Sequence, residues 1–346
     1  MKTYLITGGA GFIGSNFVKY ILKTHEDVKV INLDKLTYSG NLDNLKEIEK
    51  DPRYKFVKGD IADRNIVEEI FTADRPDILV NFAAETHVDR SINQPDDFIK
   101  TDIYGTYTLL EASRLKGLSL YVQISTDEVY GHIEKGSSTE EYPLQPTNPY
   151  SATKAGADRL CYSYFVTYKL PMIITRASNN YGPYQYPEKL IPLCITNAIE
   201  NKLLPIYGDG QQMRDWLYVE DHCDAINFLI EKGTRGEVYN IGGGNLLPNI
   251  KIAQKILELL DKPDALIQYI SDRPGHDRRY SLNIKKIKEL GWEPKYKFKT
   301  AFEETVRWYS ENEEWWRKIK SGAFKEYYRK HYLERDKQQG TTAKNG

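Results

Sequence analysis

Residues 7–14, Thr7-Gly8-Gly9-Ala10-Gly11-Phe12-Ile13-Gly14, constrain this chain more tightly than any other stretch. A short apolar run at 4–6 precedes them, and a helical pattern over 13–22 follows. Glycines between a buried strand and a helix let the backbone do what side chains would forbid. Gly8 can take the tight turn, Gly11 lets the backbone approach a pyrophosphate-like anion, and Gly14 lets the helix pack closely on the strand. The helix start adds unsatisfied N–H groups and the positive end of its dipole, which together suit an anion.

The same alternation continues downstream. Apolar runs at 28–33, 55–57, 78–82, 121–124 and 172–175 read as buried strands, and the stretches 66–71, 98–115 and 151–168 read as helices. Short buried strands alternating with helices imply a parallel sheet covered on both faces, a doubly wound α/β fold. After Gly182-Pro183 the texture changes. Segments rich in Pro, Gly and Arg (187–192, 205–215, 272–279) alternate with helical patterns at 221–231, 250–260 and 302–308. The expected division is therefore a ligand-binding α/β domain over 1–180 and a smaller lobe over 181–335, some of whose segments return to the sheet. A polar tail over 336–346 ends the chain.

Asp34 closes the second strand, twenty residues after Gly14. A carboxylate there accepts a ribose 2′-hydroxyl and repels a 2′-phosphate, so the loop and Asp34 together favour NAD over NADP. Asp60 ends the third strand, and Phe82, Ala83 and Ala84 end the fourth, at the carboxyl edge where such sheets bind ligands.

Composition narrows the partners. Lys and Arg number 48 against 49 Asp and Glu, a net charge of −1, which argues against nucleic acid or an anionic membrane as the main target. Cys161, Cys194 and Cys223 are far apart and form no C-x-x-C pair, so neither a disulfide framework nor a zinc site is expected, and a reducing cytoplasm fits. No histidine pair has metal-ligand spacing, so no metal is expected. The first residues read as strand rather than signal peptide, and no apolar run has membrane-spanning length.

Tyr150 and Lys154 form Y-x-x-x-K, which puts both side chains on one helix face. An ammonium beside a phenol is expected to lower the phenol's pKa and make it a usable base, and Lys154 could also hold a nicotinamide ribose. Upstream, Ile124-Ser125-Thr126-Asp127-Glu128 ends the fifth strand. In the short-chain dehydrogenase/reductase superfamily, which the glycine loop resembles, a Ser or Thr here hydrogen-bonds the reacting hydroxyl, which suits Thr126, and oxidation alone then needs Tyr, Lys and Thr. Removing water also needs an acid and a base, and two adjacent carboxyls can fill both roles if their environments part their pKa values. Adjacent Asp-Glu also serves strand-end turns and helix caps, and an isolated Y-x-x-x-K serves plain amphipathic helices.

The G-x-x-G-x-x-G spacing resembles the short-chain dehydrogenase/reductase superfamily, with its Rossmann-type sheet. The ordered set TGGAGFIGSN, LDKLTYSGNL, AAETHVDRSI, ISTDEVYG, PYSATKA, SNNYGPYQYPEKLIP, RDWLYVEDH, YNIGG and DRPGHDRRY resembles the dTDP-glucose 4,6-dehydratase family from Met1 to about Tyr332. That resemblance implies Tyr150 as base for C4 oxidation, Lys154 as its partner and Thr126 as donor at O4. It further implies Asp127 as the acid at the C6 hydroxyl and Glu128 as the base at C5. It assigns Phe12, Ile13, Asp34, Lys35, Leu36, Thr37, Asp60, Ile61, Thr101 and Asn180 to NAD. To the dTDP-hexose it assigns Thr86, Asn179, Lys189, Leu190, Pro205, Tyr207, Arg214, Asn249, Arg273 and His276, the two arginines matching a diphosphate. His87 and Arg90 match the same pattern and also fit a structural role. A homodimer through helices near 94–116 and 151–168 is implied as well. A nucleotide-sugar 4-epimerase or UDP-glucuronate decarboxylase shares the scaffold but not the acid pair. An NAD-binding sensor would usually lack part of the catalytic set.

Overall fold

The computed structural model describes residues 1–272 and 275–322. Its strands, in chain order, are β1 (Lys2–Thr7), β2 (Val28–Asp34), β3 (Tyr54–Lys58), β4 (Ile78–Asn81), β5 (Leu120–Thr126), β6 (Met172–Ala177), β7 (Asn179–Tyr181), β8 (Leu204–Tyr207), β9 (Met213–Tyr218), β10 (Val238–Ile241), β11 (Leu246–Pro248) and β12 (Ile267–Ile270). Seven form one sheet in the order β10-β6-β5-β4-β1-β2-β3, and every pairing in it is parallel.

Period-two burial explains why both faces are covered. Tyr4 and Ile6 of β1, with Val28, Val30, Val80 and Val122, pack against the Phe12–Thr24 and Val219–Lys232 helices. Leu5, Ile31, Leu79, Tyr121 and Ile174 point the other way, toward the Arg64–Ala73, Thr106–Lys116 and Pro149–Tyr168 helices. A third apolar cluster lies in the second half of the chain. It joins β8 and β9 to the Leu190–Ile199, Asn249–Leu259 and Phe298–Glu311 helices, with Trp316 fully buried in it.

Three features depart from the linear pattern. The expected helix over 98–115 is interrupted: Ile99–Gly105 is a π-helical turn that runs into the Thr106–Lys116 helix. Within the segment read as Pro-rich loop, the Leu190–Ile199 helix begins; eight of its residues are buried, so it lacks the polar face that periodicity detects. Finally β10, from beyond residue 180, pairs with β6 and closes the sheet edge. No described helix is long and apolar enough to cross a membrane.

A buried ion pair ties these parts together. Arg176 on β6 donates from Nε to Asp158 Oδ2 at 3.0 Å and from Nη1 to the Tyr130 hydroxyl at 2.9 Å. Tyr130 in turn donates to Asn240 of β10 at 2.8 Å.

Candidate active site

The chain reverses its direction of progress across the sheet between β1 and β4, so a crevice opens outside the carboxyl ends of these strands. One continuous cleft runs from there to the ends of β5, β6 and β7. Its floor is the glycine loop. Gly8 has φ +69°, and a Cβ on it would sit 2.6 Å from the Ala83 nitrogen. A Cβ on Gly14 would run into the Gly8 carbonyl oxygen. Gly11 is the N-cap of the Phe12–Thr24 helix and supplies no capping side chain. The first N–H groups of that helix are thus left to a ligand, which is what a pyrophosphate requires.

Asp34 fixes the wall of the cleft beside the glycine loop. Its Oδ2 accepts from the Ala10 N–H at 2.9 Å and its Oδ1 from Leu36 N–H at 2.7 Å, which binds the end of β2 to the glycine loop. Lys35, Thr37, Asp60, Ile61, Phe82, Ala83, Ala84 and Thr101 line the same space. Lys35 reaches Asp60 at 2.8 Å. Burial pushes Asp60 up, but the Lys35 ammonium and the Ala62 N–H hold it below the ordinary carboxylate value. Leu36 contributes its backbone N–H and packs its side chain toward the core instead of lining the cleft.

At the other end, Thr126, Asp127, Glu128, Tyr150 and Lys154 converge on the cleft, together with Asn179 and Asn180 of β7. The Pro149–Tyr168 helix is started by a reciprocal cap: Asn148 Oδ1 accepts from Ser151 N–H at 2.9 Å, and Ser151 Oγ accepts from Asn148 N–H at 3.3 Å. That cap sets the phase in which Tyr150 and Lys154 both face β5. Lys154 Nζ donates to the Ile124 carbonyl at 2.6 Å. Thr126 donates to Asp127 Oδ1 at 3.2 Å and accepts from the Glu128 N–H, also at 3.2 Å.

Protonation follows burial. Asp127 is fully enclosed, and desolvation, reinforced by the adjacent Glu128 charge, lifts its carboxyl well above the ordinary range despite the opposing pull of Arg214. Its surroundings thus disfavour the charged form of Asp127. The expectation that Lys154 lowers the Tyr150 pKa is corrected by the structure. Burial raises the phenol well above 10, and the Glu128 and Asp102 charges raise it further, against the Thr126 hydrogen bond. Lys154 acts elsewhere: its ammonium donates to Ile124 and pulls down the carboxyls of Asp102 and Asp158.

The other expected sugar-side residues divide into two groups. Thr86, Asn179 and Lys189 line the cleft, with Lys189 Nζ donating to the Thr86 carbonyl at 2.7 Å. Leu190, Pro205, Tyr207, Arg214, Asn249 and His276, in the second half of the chain, do not line the cleft. Tyr207 donates to Asp89 at 3.0 Å, His276 pairs with Asp272 at 2.6 Å, and Arg214 donates to the carbonyls of Met213 and Asp277 while lying 4.2 Å over the Tyr280 ring. Asn249 opens the Asn249–Leu259 helix with its Oδ1 buried and unpartnered among the described residues. Arg273, like the 336–346 tail, lies outside the described residues. His87 is buried 3.9 Å from Glu188, and Arg90 lies 3.7 Å over the Tyr38 ring.

Sequence reasoning missed several lining residues: Glu85, Ser125, Ser178, Gln185, Glu188 and His222. All six stand inside motifs already singled out: Glu85 in AAETHVDRSI, Ser125 in ISTDEVYG, Ser178, Gln185 and Glu188 in SNNYGPYQYPEKLIP, and His222 at the end of RDWLYVEDH. Ser178 Oγ, Asn179 Oδ1, Gln185 Oε1 and His222 Nε2 are buried with no partner among the described residues. Such a row of unmet polar atoms beside an uncapped helix start fits a polar ligand with its own donors, as a dinucleotide has.

The family model described as GDP-mannose 4,6 dehydratase matches residues 5–305. The dTDP-glucose 4,6-dehydratase of Escherichia coli is 50% identical, over 92% of this chain and 97% of that protein. Among solved structures, the dTDP-glucose 4,6-dehydratase of Bacillus anthracis in complex with NAD is 51% identical, with a TM-score of 0.87 over 92% of this chain and 100% of that one. The dTDP-glucose 4,6-dehydratase of Streptomyces venezuelae, also with NAD bound, gives a TM-score of 0.89 at 46% identity, covering 92% of this chain and 99% of that one.

Proposed function

The chain belongs to the dTDP-glucose 4,6-dehydratase family, and on that premise we propose that it converts dTDP-glucose to dTDP-4-keto-6-deoxyglucose with its NAD recycled at each turnover. The observation that carries this reading is the acid pair. Burial and the Glu128 charge push the Asp127 carboxyl well above its ordinary range, and Asp127 and Glu128 each keep one buried oxygen without a partner among the described residues. A 4-epimerase has no use for that pair.

The residues divide the work as follows. Tyr150 takes the proton of the C4 hydroxyl, whose oxygen is held by Thr126. Glu128 takes the C5 proton, made acidic by the new C4 carbonyl, and Asp127 protonates the C6 hydroxyl as it leaves as water. Glu128, its proton exchanged for one from solvent, then protonates C5, and the proton on Tyr150 replaces the one Asp127 gave up. NAD, when bound, would supply the acceptor for the C4 hydride and its donor at C6, and its positively charged ring would favour the Tyr150 phenolate that burial and the neighbouring carboxylates disfavour. Asp34, Asp60 and the glycine loop hold its adenosine diphosphate half, while Lys154, Thr101 and Asn180 hold the nicotinamide riboside. Thr86, Asn179 and Lys189 meet the sugar nucleotide, with Leu190, Pro205, Tyr207, Arg214, Arg273, Asn249 and His276 completing its site. The division near residue 180 into a cofactor domain and a sugar-nucleotide lobe is part of this reading.

Two further parts concern the whole protein. We place it in the cytoplasm, in keeping with Cys161, Cys194 and Cys223, all unpaired and buried. We also assign it a homodimer. Ile99, Tyr104 and Leu115 are exposed on one helical segment, and Tyr162, Val166 and Tyr168 on its packed neighbour, a concentration of apolar surface that a second copy would cover. Neither nucleic acid nor membrane enters this reading.

The test follows isotopes through one turnover. In heavy water, solvent deuterium should appear at C5, and C4-deuterated substrate should give product deuterated in its methyl group. Product with no solvent label at C5 would sink the dehydratase reading and leave an epimerase.

A further inference from the structure

A buried imidazole at the nicotinamide end of the cleft takes no part in the steps above. His222 sits in the first turn of the Val219–Lys232 helix, fully buried, and lines the cleft. Its Nδ1 lies 2.9 Å from Asn180 Oδ1. Asn180 Nδ2 donates to the Ser178 carbonyl at 2.9 Å, which fixes the amide with its oxygen toward the ring. The imidazole must therefore donate from Nδ1 and carry its lone pair on Nε2. That Nε2 has no hydrogen-bond partner among the described residues. Burial lowers the His222 pKa to about 3, so the ring stays neutral and does not repel a cationic ligand.

A desolvated acceptor without a partner is unfavourable until a ligand brings a donor. The position narrows which donor. Asn180 is on β7, which directly follows β6, and β6 is the neighbour of the strand that ends in Thr126. The donors of a dinucleotide at this end are the nicotinamide ribose hydroxyls and the carboxamide NH2. The hydroxyls fall to Lys154 in the reading above, on which this inference rests. We propose that His222 and Asn180 form the element that reads the nicotinamide carboxamide, with His222 Nε2 accepting from its NH2 and so fixing the ring's rotation.

The experiment compares two dinucleotides on protein stripped of cofactor: NAD, and its 3-acetylpyridine analogue, in which a methyl group replaces the carboxamide NH2. Binding is measured directly by calorimetry, without substrate. The wild type should bind the analogue roughly ten- to a hundredfold more weakly, as expected when a buried acceptor is left unpaired. His222→Asn keeps a donor at the Nδ1 position and removes Nε2, so it should bind both dinucleotides within about threefold of each other. His222→Gln restores an acceptor near Nε2 and should recover part of the preference. A merely structural role would weaken both dinucleotides alike and leave the ratio unchanged in His222→Asn, and that overturns the proposal. So does a wild type that binds the two equally, even if no variant folds. A wild type that binds neither dinucleotide counts against the NAD reading of the cleft itself, which is a different failure.

Discussion

Burial and neighbouring charge, more than residue type, set what the side chains around Tyr150 can do. Asp127 and Glu128 are adjacent in sequence, but burial and the Glu128 charge push the enclosed Asp127 carboxyl well up. Tyr150 is pushed up too, by burial and by the Glu128 and Asp102 charges. Under the proposed function its hydroxyl takes the C4 proton, and removing it should leave packing intact, because the ring still meets Phe98 edge-on at 6.3 Å. Tyr150→Phe should keep its melting temperature and its NAD while turnover of dTDP-glucose falls roughly 10²- to 10⁴-fold, the range typical of acid–base groups. A loss below tenfold in steady-state assays would remove Tyr150 from the role of base.

Among the elements, the strand–loop–helix unit from Lys2 to Thr24 carries the tightest steric demand. Gly14 lies so close to the Gly8 carbonyl that a methyl group has no place without moving either helix or loop. Gly14→Ala should therefore lower stability by about 1–3 kcal/mol, the usual cost of overpacking. It should also release NAD, because the helix start that faces the pyrophosphate shifts with it. Thermal unfolding and the dinucleotide content of purified protein check both halves. The π-turn Ile99–Gly105 works in a comparable way at the opposite wall. It carries Thr101 into the cleft and Asp102 into the interior, where Asp102 accepts from Thr153 at 2.7 Å and from the Glu85 N–H at 3.1 Å.

For the molecule as a whole, buried acids give stability a pH slope. Burial, then the charges of Asp102 and Asp97, raises Glu85 from 4.5 to about 7. Burial raises Asp102 from 3.8 to about 6, with Lys154 opposing. An acid whose folded pKa is raised holds its proton longer folded than unfolded, so the unfolded chain gains as pH rises between the two values. These groups should make the cofactor-free protein lose stability from about pH 4 to about pH 7 and level off above. Denaturant unfolding of Glu85→Gln should show a shallower fall across that window. Assembly gives the second test at this scale. Leu115 is 64% exposed, and Leu115→Glu places a charge in the apolar surface assigned to the partner copy. Sedimentation should then report one chain where the wild type reports two.

Local spacing alone determined the cofactor loop, six of the seven sheet strands, the Tyr150–Lys154 face and the Thr126–Glu128 strand end. Each of these depends on residues a few positions apart, and periodicity and turn chemistry act over that range. The tertiary structure decided what depends on distance in space. It brought β10 beside β6, placed a π-turn within an expected helix, and set His222 against Asn180, 42 residues away. It also reversed the expected pKa of Tyr150. Desolvation and Coulomb fields are summed over every group nearby in three dimensions, and Lys154, four residues along the helix, counts for less there than burial and the carboxylates of Glu128 and Asp102.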